Sequence, residues 1–357
     1  MLNVNTLETD RPALQRHEWP PVAPFSALSA ELRSFLDADA GGRQELLSGL
    51  RADVEEHGKF IHDSLGVVYA YVYGYPDSPC YLRADVALEA ALLGAKLVLE
   101  EELIERWLPV QPIPHIEKQK DAVEYLREFT KSNAGVYHEL FDYLRAEVTR
   151  QAMTDFLRLE VCRNEVVDDE VALLICGLQG NMKKVMVSNL WDECGNGGLQ
   201  RFHTYWLRRL IERLDDWSFL PRYREREKPW FSAVTSNTFN ALLTRSGYKY
   251  RAYGSFMTTE AWVEPHFERI LDGLARVGLD DDDLAVYFQS HVKIDPHHTE
   301  EILGGMNHQT PELTPPEVAE VLRGAHLAVA AGVSQYDRVL RRLRAIALRP
   351  GAHDRVT

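Results

Sequence analysis

Cysteine is scarce in this chain. There are four (Cys80, Cys162, Cys176 and Cys194), far apart and without a C-x-x-C pair. That spacing excludes a disulfide framework, a cysteine-held iron–sulfur cluster and a structural zinc knuckle. Long apolar runs are missing too: no segment approaches the roughly 20 apolar residues of a membrane span. Positive charge is in deficit: the net charge is −14, with the acidic residues scattered rather than run together. Nucleic acid and anionic membrane surfaces are therefore poor partners, while a cationic substrate suits the field. The opening MLNVNTLETDRPALQRHEWPP has no basic stretch leading into an apolar one, so the expected location is cytoplasmic. No internal repeat or low-complexity tract is found.

With 357 residues, 45% of them hydrophobic, the chain can bury a sizeable core and is expected to divide into two domains. Residues 1–24 read as an extended arm. Helical periodicity follows in SALSAELRSFL and RQELLSGLRADVEEH, within 26–57. VVYAYVYGY, closed by PDSP, reads as a short strand or a packed connection. ADVALEAALLGAKLVLEEELIERWL, residues 84–108, predicts one long helix. Prolines 109, 112 and 114 then break the pattern. A boundary near Pro112 gives an N-terminal helical region, 1–112, and a second domain, 113–357. Beyond it nearly everything is helical: 119–147, 149–166, 171–193, 199–214, FSAVTSNTFNALL, 251–276 and 280–304. The helix ending at LWDE is stopped by CGNGG, with Gly195 as the residue just past its end. Thr314, two prolines and Glu317 form a capping box opening the last helix. The expected fold class is all-α.

The chemistry-bearing stretch is DDDLAVYFQSHVKIDPHHTEEIL, residues 281–303. His291, Asp295 and His298 fall at i, i+4 and i+7, on one face of a helix. Imidazole, carboxylate and imidazole converging on one point suit a divalent first-row metal such as iron; solvated surface histidines are the alternative. Two known arrangements are excluded, because none of the 13 histidines has Glu three residues before it and H-E-x-x-H is absent. The first would be a ferritin-like di-iron bundle, the second a zincin protease. Further carboxylates lie elsewhere. Glu160 sits among Phe156, Leu157 and Val161, where burial requires a cation or an ion pair with Arg158 or Arg163. Glu193 ends one helix and His203 opens the next, so the GNGG break lets them converge. Glu260 lies among small, apolar and hydroxyl residues, whereas Glu264, just before Pro265, reads as a helix start. Pro296 directly after Asp295 predicts a kink or unwinding within 286–303, ordered on metal binding. His297 and His308 read as surface groups or supports. Tyr205, Trp206, Phe256 and Trp262 could wall a pocket, with core packing as the other reading.

The ordered set Glu160, Glu193, His203, Glu260 and H-x-x-x-D-x-x-H at 291–298, with the turn NLWDECGNGGLQRFH, resembles the heme-oxygenase-like di-iron oxidases. The resemblance covers roughly residues 120–305. It implies a heme-oxygenase-like helical bundle with an N-terminal helical extension, which in some relatives mediates a homodimer. It implies two Fe(II) ions, dioxygen as cosubstrate and an external reductant or electron donor. By the same resemblance Glu160, His203 and His298 would serve one iron. Glu260, His291 and Asp295 would serve the other, with Glu193 between or beside them and no catalytic residue beyond the ligands. The extra carboxylate at Glu193 and the long extension resemble the nitrogen-oxidising members. These would oxidise a small amine, guanidine or aminoazole to hydroxylamine, nitroso or nitro level in natural-product (antibiotic) biosynthesis. The alternative is C–H abstraction, with desaturation or fragmentation of an amino or fatty acid.

Other classes fit less of the chain. A heme oxygenase needs an axial histidine on its first helix, and 119–160 offers His138 alone. A metal-free thiaminase-type hydrolase needs a reactive cysteine, and neither Cys162 nor Cys194 has a basic partner in sequence. A structural helical protein would leave the carboxylates without a role.

Overall fold

The computed structural model describes residues 28–75, 78–214 and 228–348, excepting the side chains of 294–296. The arm expected at 1–24 lies outside the described residues, as does most of the charged loop RYREREKP. Among the described residues the regular structure is entirely helical, as the composition predicts.

Three helices open the chain: α1 (Ala30–Asp37), α2 (Ala40–Leu50) and α3 (Val54–Tyr73). Each starts on a side-chain cap that satisfies an otherwise orphaned N–H. Ser29 accepts from Leu32 N at 3.1 Å, Asp39 from Gly42 N at 2.8 Å and Asp53 from Glu55 N at 2.9 Å. VVYAYVYGY is neither strand nor connection. Its first seven residues are the last two turns of α3, which stops at Gly74 in the left-handed conformation, φ 72°. Period-2 alternation over so short a run lost to the strong cap upstream and the glycine stop downstream. The predicted helix at 84–108 is present as α4 (Val86–Glu102), continued by a π-turn, Leu103–Trp107.

Next come α5 (Gln119–Ser132), α6 (Glu139–Ala146) and α7 (Arg150–Asn164). The predicted 119–147 helix is split because Asn133 Oδ1 accepts from Gly135 N and Val136 N, at 2.9 and 3.3 Å, and turns the chain. His138 caps α6, its Nδ1 accepting from Leu140 N at 3.1 Å, with Nε2 3.2 Å from Asp337. That arrangement leaves it no axial role. The 171–193 segment also divides, into α8 (Val167–Ile175) and α9 (Gly180–Glu193). Then follow α10 (His203–Leu214), α11 (Val234–Leu243), α12 (Lys249–Arg276), α13 (Asp282–Asn307) and α14 (Pro315–Ala347).

The three long helices α12, α13 and α14 form the centre. α12 and α14 cross backbone to backbone at two glycines. A Cβ on Gly254 would lie 1.9 Å from Val321 O, and one on Gly324 1.8 Å from Arg251 O. Apolar side chains on both sides of residue 112, from Leu32 to Ala331, share one buried cluster. A second cluster, built from α6, α7, α10, α12, α13 and α14, closes the other end. Two expectations about proline need correcting. α12 runs through Pro265, so Glu264 is mid-helix and not at a start. α13 is helical without interruption through Pro296, so the chain does not unwind there. Tertiary packing along both helices offsets the lost donor. The capping box is present: Glu317 Oε2 accepts from both N and Oγ1 of Thr314, each at 2.8 Å.

Candidate metal centre

Three ligand-type atoms, one each from Glu193, His203 and His291, lie within 4.8 Å of one another. The convergence begins at the CGNGG turn. Gly195 takes φ 55° just past the end of α9. There a Cβ would stand 2.3 Å from the backbone carbon of Arg201, so only glycine lets the chain fold back this tightly. The reversal puts the last residue of α9, Glu193, against the first of α10, His203, with Oε2 and Nδ1 2.8 Å apart. His291 arrives from α13, its ring centroid 4.3 Å from that of His203. Trp206 stacks on His203, with ring centroids 4.9 Å apart.

The neighbours decide which atoms face the cluster. His291 Nδ1 lies 2.6 Å from Tyr287 O. A carbonyl only accepts, so Nδ1 carries the proton and the lone pair is on Nε2. His298 presents Nε2 to Asp192 Oδ2 at 3.1 Å and turns Nδ1 toward Glu260 Oε2, 3.7 Å away. Asp192 is itself held by Asn196 Nδ2 of the same turn, at 3.1 Å. Such a carboxylate behind a histidine orients the ring and raises its basicity toward a metal. Glu160 has a different holder. Asn164 Nδ2 donates to its carbonyl at 3.0 Å and to Oε2 at 3.2 Å.

Electrostatics test whether a metal belongs here. Glu193, His203, His291 and His298 are 6, 2, 6 and 3% exposed. Burial pushes the Glu193 carboxyl up, but the charges of His203, His291 and His298 outweigh it and bring the pKa to about 2. Burial, reinforced by His203, pushes His291 down to about 3. An ionised carboxylate beside a neutral imidazole is a donor pair that a divalent cation accepts. Two further observations agree. Glu193 ends a helix, where the macrodipole disfavours a bare anion. Its Oε2 is buried and faces His203 Nδ1 at 2.8 Å. Two imidazoles and one carboxylate form the facial donor set of non-heme ferrous oxygenases. The residues fit iron.

Of the seven residues expected at the site, the structure gathers Glu193, His203 and His291 and sets His298 beside Glu260. The resemblance placed His203 with His298; the structure sets the His203 ring against that of His291. Glu160 lies on α7 in the grip of Asn164, and burial raises its pKa ahead of the opposing pull of Arg163. Asp295 is on α13, but its side chain lies outside the described residues. Asp192 was missed in the sequence although it adjoins Glu193, because its partner is on another helix.

Beside the cluster is a cavity of about 80 Å³, walled in part by Glu193, Glu260 and His291. Phe256, one of the four aromatics considered for a pocket, faces it. Trp262 instead fills a small core with Val136 and Ala328. Two charged residues stand on the wall: Glu170, which escaped sequence reading, and Arg163, considered there only as an ion-pair partner for Glu160. Burial raises the Glu170 pKa to about 7 against the pull of Arg163. Cys194 fits no nucleophile role, since burial, Asp168 and Glu193 all raise its thiol pKa.

Comparison with known proteins agrees with this chemistry. The iron-containing redox enzyme family matches residues 154–333, about half of the chain. Two crystal structures of a CADD-like protein of unknown function from Nostoc punctiforme share the fold at 12% identity. Their TM-scores are 0.51 and 0.50, over 63% and 65% of this chain and 97% and 99% of theirs. No curated protein matches the chain. No described helix is long and apolar enough to cross a membrane. With the heme-oxygenase-like bundle and the buried carboxylate–imidazole cluster, the matched segment shows that this chain belongs to the iron-containing redox enzyme family.

Proposed function

We propose that the protein is a non-heme di-iron N-oxygenase acting on a small amine, guanidine or aminoazole. The reading is supported above all by the Glu193–His203–His291 cluster opening onto the cavity. Glu193, His203 and His291 would hold one iron. His298 and Glu260 would hold the second, with Glu160 and Asp295 within the same set of helices. Ferrous iron bound there would supply activation of dioxygen, with electrons from an external reductant.

The chain's own residues prepare the substrate. The acidic wall, Glu170 and Glu260, favours entry of a cationic amine. An ammonium has no lone pair to oxidise and must lose a proton first. Glu170 can take it: Asn240 Nδ2 donates to Oε1 at 3.0 Å, leaving Oε2 for the proton. With a pKa of about 7 the carboxyl can both accept and return it near neutral pH. Phe239 and Phe256 supply apolar walls that exclude water.

The test is anaerobic loading with ferrous iron, then oxygen and a panel of amines. Iron content, an optical change on oxygenation and products carrying added oxygen on nitrogen are read by mass spectrometry and spectroscopy. Iron binding with desaturated or fragmented products would assign the carbon chemistry instead. A protein that binds no iron would overturn the reading altogether.

A further inference from the structure

Arg163 is the one lysine or arginine on the cavity wall among the described residues. Its position is built. Nε donates to Thr235 Oγ1 at 3.3 Å, and an Nη donates to Asn164 Oδ1. Thr235 is fixed in turn by Gln335, whose Oε1 accepts from Thr235 N and Oγ1, both at 2.9 Å. A guanidinium has five N–H donors in a rigid plane, so these two bonds leave an edge to spare. Glu160 and Glu170 are near enough to act on its charge. Yet among the described residues Arg163 forms no ion pair within 4.0 Å. A desolvated guanidinium with no anion against it is costly to keep. Serving only as a distant countercharge, it would be expected to close on one of those carboxylates.

We propose that Arg163 binds the carboxylate of the substrate, so that the amine oxidised here is an amino acid. This rests on the amine-oxidising reading and narrows it. A planar carboxylate matches the fork of the guanidinium. A phosphate dianion does not suit a wall that also carries Glu170, Glu193 and Glu260. The ammonium end of the same zwitterion then lies toward the acidic wall, and the cavity holds both charges of an amino acid.

The test compares binding of matched pairs to the full chain loaded with ferrous iron under nitrogen. Each proteinogenic amino acid is paired with its decarboxylated amine, such as arginine with agmatine or histidine with histamine, by calorimetry and thermal shift. At least one acid should bind roughly 10- to 100-fold more tightly than its amine, the gain of a charge-assisted pair. Arg163→Gln should bring that ratio near one with the amine affinity little changed, and Arg163→Lys should restore part of it. No acid preference across the wild-type panel, which needs no variant, would overturn the proposal. So would a preference equally strong in Arg163→Gln, or a variant that loses only stability or iron with the ratio intact. If the preference holds but no nitrogen is oxidised, the anchor stands and the N-oxygenase reading falls. If simple amines are oxidised and bind as well as their acids, the reading stands and the anchor falls.

Discussion

Glu193 occupies a position where an ordinary surface carboxylate gains nothing: the end of a helix, buried, facing histidines. In the proposed donor set it supplies the carboxylate, so removing it should be felt first in the metal. Glu193→Ala or His298→Ala is expected to lower bound iron below two per chain and abolish turnover. Full iron and activity in either variant would contradict the assignment. A second residue-scale prediction concerns acid lability. His266 is buried, with Nε2 2.9 Å from Gly135 O, and burial lowers its pKa from 6.5 to about 3. Between those values the unfolded chain binds a proton that the native one does not, so stability is lost as pH falls below 6.5. At pH 5 the cost is roughly 2 kcal/mol. Glu170 works the other way: its raised pKa adds stability below its unfolded value of 4.5, lost as pH rises toward 7. The comparison must therefore be between variants. From pH 7.5 to 5, urea midpoints should fall less for His266→Asn than for the wild type; equal slopes would refute the assignment. The ligand candidates Glu193, His203, Glu260, His291 and His298 were readable in the sequence because each is a carboxylate or imidazole with a helix end or helical spacing to explain it. Glu170, Asp192 and the cavity position of Arg163 were not, because their roles depend on neighbours from other helices.

Two elements bring the site together, and both turn on glycine. Gly195→Ala adds a Cβ at φ 55° and drives it into the backbone of Arg201. The strain, about 1–3 kcal/mol, should appear as a lower unfolding free energy. Because the turn carries Glu193 to His203, iron affinity should fall with it. A variant weakened in stability but unchanged in iron affinity would show that the turn does not position the ligands. At the α12–α14 crossing, Gly254→Ala places a methyl 1.9 Å from Val321 O. The helices must separate, at a cost of roughly 1–3 kcal/mol or more, readable in a denaturant titration. The CGNGG stop, the capping box and the 84–108 helix follow from signals a few residues long. α3 and the unbroken α13 did not, because a cap fourteen residues upstream and packing along the whole of α13 override the local alternation and the proline.

On the scale of the whole molecule, the site joins α9, α10, α12 and α13, elements otherwise linked through separate apolar clusters. Metal should then act as a fold ligand as well as a cofactor. At a ferrous concentration a hundredfold above Kd the folded state gains roughly 2.7 kcal/mol. The melting temperature should rise by several degrees under nitrogen and return on chelation. Glu193→Ala should remove most of the rise. An unchanged melting temperature in the wild type would mean that the four helices are rigid without the ion.

Local chemistry was enough to establish an all-helical chain, the ends of many of its helices and the inventory of carboxylates and imidazoles suited to iron. Those follow from side-chain spacing and capping, which act over a few residues. Which of these side chains meet was decided by packing: His203 with Glu193 and His291, His298 with Asp192 and Glu260. The same holds for the cavity and the Arg163 guanidinium on its wall. Each of these contacts joins helices distant in sequence, and their relative placement comes from the burial of the two apolar clusters, which no short stretch of chain encodes.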